Sequence, residues 1–186
     1  MIRMLCLAIA LVAATAAEAR AQGGIGTFNG ALTAHVGAIT GGDISEARSA
    51  LGLALAVFED NGWGAEIDFG HTSDALAGVQ ILDVTSYMVN AVWQRPEGLI
   101  RPFALTGIGV LQVNGCDAPC NQAARTYDLG FNLGAGTSVI LNDYLALRAD
   151  ARYFFAGADH PDLNRPDNFN FWRLSFGATF RWAIAP

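Results

Sequence analysis

Residues 145–155 read LALRADARYFF, and this stretch decides the fold. Leucine, alanine, tyrosine and phenylalanine fill every second position, and the positions between them include Arg148, Asp150 and Arg152. Because successive side chains of a β-strand point to opposite faces, the stretch is predicted to be a strand with one apolar and one charged face. Which face points outward determines whether the protein lies in water or in a membrane.

The same two-residue alternation recurs along the chain, whereas the spacing of an amphipathic helix is weak. It predicts eight strands, at about residues 25–39, 48–59, 63–73, 84–94, 101–113, 126–141, 144–157 and 170–182. Tight turns at 59–62, 94–98 and 141–143 alternate with longer polar connections at 40–47, 74–83, 114–124 and 158–168. This organisation is typical of an all-β fold, an eight-stranded antiparallel up-and-down β-barrel with both termini at the tight-turn end.

The last predicted strand separates a membrane barrel from a soluble one. One of its faces is apolar and aromatic from Trp172 to Trp182, and the other carries Arg173 and Arg181. The ten residues between the tryptophans span about 24 Å along the axis at ~3.4 Å per residue and a tilt of ~45°, close to the ~25 Å apolar band of a membrane barrel. A soluble barrel would keep such a face inside. We therefore predict a transmembrane barrel with an aromatic girdle of Trp63, Trp93, Trp172 and Trp182.

The charged faces of the strands are then predicted to line the barrel interior. Interiors of small membrane barrels are filled by side chains, and buried charges must be paired or hydrated. The predicted lumenal network consists of Glu66, Asp68, Asp128, Arg148, Asp150, Arg152 and Arg173. His35 has the same parity and is expected to belong to the polar filling. A plugged lumen is favoured, and a narrow channel is the alternative.

The fifth strand, RPFALTGIGVLQV at 101–113, allows two orientations. Either Phe103 and Leu105 face the lipid, or Ile108 and Val110 do so together with two smaller side chains. The second orientation is favoured, because it places the glycines of this strand inside, where they leave room for bulky neighbours.

The N-terminus has the features of a secretory signal peptide. One arginine precedes the uncharged run LCLAIALVAATAA at 5–17, and the small residues Ala19 and Ala21 then occupy the −3 and −1 positions of a cleavage site. A transmembrane anchor is the alternative, but the run is shorter than the roughly 20 residues of a spanning helix. We expect residues 1–21 to be removed and residues 22–186 to form the barrel.

Composition and cysteine content restrict the partners. The formal net charge is −6, which argues against nucleic acid as a partner.

Beyond the leader, the cysteines are Cys116 and Cys120, in NGCDAPCNQ. In an exported chain a disulfide between them is favoured over a metal site, since no histidine lies nearby to complete one. No cofactor and no metal are expected.

Three segments resemble the small outer-membrane β-barrel proteins of Gram-negative bacteria, the OmpA/OmpX-type, porin-like family. They are RPFALTGIGV at 101–110, YDLGFNLGAGTSVILNDYLALRADARYFF at 127–155 and FWRLSFGATFRW at 171–182. The resemblance implies a cell outer membrane location, contact with outer-membrane lipid and lipopolysaccharide, and insertion by the barrel-insertion machinery. It also implies a structural or surface role in the cell envelope and a monomeric barrel. A porin-like channel for small solutes or apolar ligands is the alternative function.

One motif raises the question of catalysis. GHTSDA at 70–75 places His71 and Ser73 on the outward face at the end of a strand. Some outer-membrane lipid A deacylases resemble this arrangement, with an outward His-x-Ser pair. A serine nucleophile also needs a base within reach and an oxyanion donor, and a polar strand end entering a loop is the simpler interpretation. We therefore expect no enzyme activity, with a lipid A deacylase-like hydrolase as the alternative.

Overall fold

A computed structural model describes residues 28–73, 81–116, 123–157 and 168–184 of the chain. The strands are β1 (Phe28–Gly41), β2 (Ile44–Phe58), β3 (Trp63–Thr72), β4 (Ile81–Gln94), β5 (Ile100–Cys116), β6 (Ala123–Ile140), β7 (Leu145–Gly157) and β8 (Asn168–Ile184). Each strand pairs antiparallel with the next, and β1 pairs with β8, so the sheet closes into a barrel. The predicted eight-stranded antiparallel barrel is confirmed. In these ranges, no helix is long and apolar enough to cross a membrane.

The connection between β1 and β2 differs from the prediction. A longer polar segment was expected at 40–47, but β1 runs to Gly41 and β2 starts at Ile44. Gly41 and Gly42 have φ angles of 70° and 62°, which glycine adopts at no steric cost. The polar segment at 40–47 therefore forms a tight turn and the strand ends on either side of it. Its Asp43 carboxylate accepts hydrogen bonds from the backbone N–H (2.8 Å) and side-chain amide (3.0 Å) of Asn170, which fasten the turn to β8.

The three predicted tight turns are confirmed. Gly62 and Gly98, with φ angles of 89° and 97°, lie in the β2–β3 and β4–β5 turns. In the β6–β7 turn the Asn142 side-chain oxygen accepts backbone hydrogen bonds from Tyr144 and Leu145, each at 2.9 Å. Such an asparagine substitutes for backbone hydrogen-bonding partners and stabilises a short connection.

The outer surface of the barrel is apolar. Val36 and Leu133 are each more than 60% exposed, and Phe176 is 55% exposed. On β5, Phe103 and Leu105 are buried while Ile108 and Val110 are exposed, so the favoured orientation of this strand is confirmed. An apolar surface that surrounds a whole barrel is suited to lipid rather than to water.

Both ends of this apolar band carry tryptophans. Trp63 and Trp93 lie opposite each other in the β3–β4 register at the short-turn end, and Trp182 lies near the same end on β8. Trp172 lies near the other end, with its ring centroid 5.1 Å from that of Tyr153. All four indole rings are thus on the outward faces of their strands.

Two predictions fall outside the described residues. The proposed signal peptide at 1–21 precedes the first described residue, and Cys120 lies in the segment 117–122. Cys116 is the last residue of β5, and its side chain is not among those described. The cleavage and the disulfide therefore remain predictions.

Candidate functional site

The lumen is the candidate site, and inward-facing glycines create the space in it. His35 on β1 pairs in register with Gly52 on β2 and with Gly177 on β8. A Cβ atom on Gly52 would approach His35 Cε1 to 2.6 Å, so the imidazole lies directly over that glycine. In the same way Arg173 covers Gly70, and Asn90 covers Gly107. Glycine thus leaves room for a large polar side chain to lie across it, from a neighbouring strand in the case of His35 and Asn90 and from across the lumen in the case of Arg173.

Arg152 is at the centre of the lumenal charge network and is fully buried. Its Nε donates a 3.0 Å hydrogen bond to Asp150 Oδ1 on its own strand. Its Nη1 lies 3.1 Å from Glu66 Oε1 and 3.4 Å from Asp68 Oδ2, both on β3. Because β3 and β7 are not neighbours in the sheet, these ion pairs cross the lumen.

Two further arginines flank Arg152. Arg148 Nη1 donates to Glu66 Oε2 at 2.6 Å, and its Nε donates to Asp150 Oδ2 at 3.3 Å. Arg173 Nη2 donates to Asp68 Oδ1 at 2.7 Å. Three buried guanidinium groups therefore meet three buried carboxylates, so the cluster is charge-balanced, as buried charges require.

Neutral side chains complete the hydrogen bonding of these carboxylates. Asn90 donates to Glu66 (3.0 Å), Asn132 donates to Asn90 (2.9 Å), and Ser175 donates to Asp150 (2.8 Å). His35 Nε2 lies 3.2 Å from Asp68 Oδ2. Asn90, Asn132 and Ser175 were not among the predicted network residues. The alternation places each on an inward face, and this signal could have found them.

An apolar layer fills the half of the lumen toward the β1–β2 turn. The Phe154 and Phe171 rings stack with centroids 4.9 Å apart, and the Arg173 guanidinium carbon lies 5.1 Å from the Phe154 ring centre. Asp128 is buried opposite Leu111 in the β5–β6 register, which places it in this apolar half, away from the three arginines. The buried members of the layer are Ile39, Ile44, Ala50, Val84, Met88, Leu111, Val113, Phe154, Ala156, Phe169 and Phe171.

The short-turn end of the lumen contains a cavity of about 300 Å³. Its inner end is formed by Arg148 and Thr179, and its entrance by residues of the β2–β3 and β4–β5 turns. We call this cavity the vestibule. It connects the charge network to the short-turn side of the barrel.

His71 and Ser73 lie on the outer surface, as their parity predicted. Ser73 Oγ is 3.3 Å from His71 Nε2, and His71 Nδ1 is 2.9 Å from Thr85 Oγ1 on β4. Continuing the β3–β4 register by one pair beyond Thr72 and Val84 places Asp83 opposite Ser73. Thr85 and Asp83 were not among the predicted site residues, because the partner of His71 depends on the register between strands.

A family model for the outer membrane protein beta-barrel domain matches residues 4–180. The chain belongs to this outer membrane barrel family. Membership implies an outer membrane location, with the short turns of the barrel on the periplasmic side. A search of curated protein sequences finds no match.

Solved structures similar to this outer membrane barrel agree in fold. Neisserial surface protein A is 13% identical with a TM-score of 0.62, over 87% of this chain and 100% of that one. The N-terminal barrel domain of Pseudomonas aeruginosa OprF is 14% identical with a TM-score of 0.58, over 83% and 97%. Ail, the attachment invasion locus protein of Yersinia pestis, is 14% identical with a TM-score of 0.57, over 85% and 100%. At these identities the likeness concerns the fold alone.

Proposed function

We propose that this outer membrane barrel has a structural and surface role in the cell envelope and that its lumen does not conduct. The observation that carries the proposal is the balanced cluster around Arg152, whose ion pairs cross the lumen from β7 to β3. A solute would have to separate these buried charges in order to pass, and separating a buried pair costs several kcal/mol, typically about 3–5.

The apolar layer adds a second obstacle on the outer side. Ions would have to leave water to pass between the stacked Phe154 and Phe171 rings and the aliphatic side chains around them, and desolvating a charge is costly. The vestibule would then be a blind chamber that opens to the periplasm. Two of the similar structures are named as a surface protein and an attachment protein, which supports a role at the cell surface.

The proposal includes the surroundings and the maturation of the barrel. Outer-membrane lipid and lipopolysaccharide would contact the outward apolar face, and the barrel-insertion machinery would act during biogenesis on a monomeric barrel. Residues 1–21 would be removed as a signal peptide, leaving 22–186.

Conductance tests the closed lumen. We expect the purified full chain to give no stepwise currents in planar bilayers and no swelling of liposomes in isosmotic sugar, with a general porin as positive control. The physical reason is that both the ionic and the apolar layer must open before ions pass. Stepwise currents that scale with salt concentration would contradict the proposal and favour the alternative, a narrow channel for small solutes or apolar ligands.

The contact between Ser73 and His71 supports a second candidate, a lipid A deacylase-like hydrolase. Against it, the partner of His71 is the Thr85 hydroxyl, which cannot balance an imidazolium as a carboxylate does. The backbone of His71 also pairs with strands on both sides, so an oxyanion donor would have to come from elsewhere.

Mass spectrometry of lipid A from cells with the wild type or Ser73→Ala separates the candidates. Loss of an acyl chain with the wild type only would favour the hydrolase.

A further inference from the structure

The vestibule at the periplasmic end has an unequal distribution of charge. The charged side chains contributed by the strands of its wall are all arginines, namely Arg101, Arg148 and Arg181. Its acidic lining residues, Glu59, Asp60 and Glu97, belong to the turns at the entrance. The wall formed by the strands is therefore cationic and the entrance acidic, and a cationic wall favours a bound anion over a bound cation.

Two of the arginines share a row across the barrel wall. Ser138 on β6 pairs in register with Arg101 on one side and with Arg148 on the other. The Ser138 hydroxyl accepts a 2.9 Å hydrogen bond from the Gln94 amide, so the hydroxyl can donate its own hydrogen to a ligand in the vestibule. The row thus brings a guanidinium, a hydroxyl and a second guanidinium together on adjacent strands.

Arg148 has donor capacity that the charge network does not use. Its Nη1 and Nε donate to Glu66 and Asp150, but its buried Nη2 has no hydrogen-bond acceptor among the described residues. The side chain is 7% exposed and lines the inner end of the vestibule. Its guanidinium carbon lies 4.2 Å from the centre of the Phe103 ring, so a cationic group is held rigidly at the inner end of the vestibule.

The arginines nearer the entrance also favour an anion. Arg101 on β5 and Arg181 on β8 line the same cavity. Arg101 Nε donates to the Gly98 carbonyl at 3.1 Å, which leaves its terminal nitrogens available. A multiply charged anion between these guanidinium groups would accept several charge-assisted hydrogen bonds.

We infer that the vestibule is a periplasm-facing binding site for a small phosphate-bearing solute, held by Arg101 and Arg181 with Arg148 at its inner end. The volume of about 300 Å³ is at the lower limit for ligand pockets, roughly 300–1,000 Å³, so it fits inorganic phosphate or a small phosphomonoester. The site needs no open lumen, because the ligand enters and leaves on the same side.

Titration of the folded full chain in detergent micelles tests the site. Inorganic phosphate and glycerol phosphate, followed by calorimetry, are expected to bind saturably in the millimolar range and to shift the side-chain NMR resonance of Arg148. Arg101→Gln and Arg181→Gln should each weaken binding about tenfold, the effect of losing one charge-assisted hydrogen bond. Tighter binding of glycerol phosphate than of phosphate would identify the ester as the ligand, and the reverse would identify the free ion.

Arg95→Gln provides the matched control. Arg95 is exposed in the β4–β5 turn at the same end of the barrel and is not part of the vestibule lining, so its loss changes the net charge but not the site. Unchanged affinity in this variant is expected. Equal weakening in all three variants would show unspecific charge attraction, and the absence of saturable binding or of an Arg148 shift in the wild type would equally overturn the assignment.

Discussion

Replacing Arg152 with methionine is expected to destabilise the barrel by about 3–5 kcal/mol, the usual effect of removing one partner of a buried ion pair. Methionine retains much of the apolar part of the side chain, so the main change is one missing charge. The three carboxylates would then face only Arg148 and Arg173. Urea unfolding in bilayers, followed by tryptophan fluorescence and gel mobility, measures the loss.

A compensating substitution makes this prediction specific. Asp150 accepts the hydrogen bond from Arg152 Nε, and adding Asp150→Asn restores the charge balance of the cluster. The double variant should lose less stability than the two single variants together, with a coupling energy of about 0.5–3 kcal/mol. Arg95→Met, at an exposed turn position, should change stability by no more than about 0.5 kcal/mol. Additive losses would show that Arg152 and Asp150 do not interact.

Replacing Phe176 with arginine should cost about 2–4 kcal/mol, because it places a charge on the lipid-facing surface near the middle of the membrane. Phe176 is exposed on β8 between Trp172 and Trp182, which mark the two ends of the apolar band. The free energy of folding into lipid vesicles, from urea titration of the wild type and the variant, measures the effect.

Phe180→Arg on the same strand is the matched control. Phe180 is about as exposed as Phe176, but it lies two residues from Trp182, where an arginine can reach the interface. Its cost should be only about 0–1 kcal/mol. Equal costs at the two positions would contradict the assignment of this face to the membrane interior.

The sequence predicts the outward and inward faces well, because strand alternation depends on local geometry alone. The charged face of LALRADARYFF lies inside the barrel, with Arg148, Asp150 and Arg152 all buried. On β5 alternation left two orientations open, and the preference for inward glycines selected the observed one, in which Phe103 and Leu105 point inward. A one-residue error in parity would have reversed every such assignment.

Parity alone allowed the pairing of Arg148 and Arg152 with Glu66 and Asp68 only as a hypothesis, because contacts across the lumen depend on barrel closure and on the register between strands. Glu66 on β3 meets Arg148 and Arg152 on β7, and nothing local to either strand determines this contact. Asp128 shows that strand parity alone does not determine which inward-facing residues meet. It has the parity of the charge network, but its height along β6 places it beside Leu111, in the apolar half.

The apolar layer was missed for a related reason. Phe154 and Phe171 lie on inward faces that also carry arginines, and a pattern that assigns the inward face as polar gives them no role. They meet as a stack, with a 4.9 Å centroid separation, because they are opposite each other in the β7–β8 register. The β1–β2 turn was missed because a polar, glycine-containing segment is compatible with both a loop and a tight turn.

The central claim is that this chain folds into a closed barrel within the outer membrane, and gel mobility of the fractionated protein tests it most directly. Cells that express the full chain are separated into soluble, inner-membrane and outer-membrane fractions, and each is run in detergent gels with and without heating. We predict that the protein is in the outer-membrane fraction and that the unheated form migrates differently from the heated one, because the closed barrel resists detergent until it is heated. A protein in the soluble fraction whose mobility does not change on heating would contradict the account.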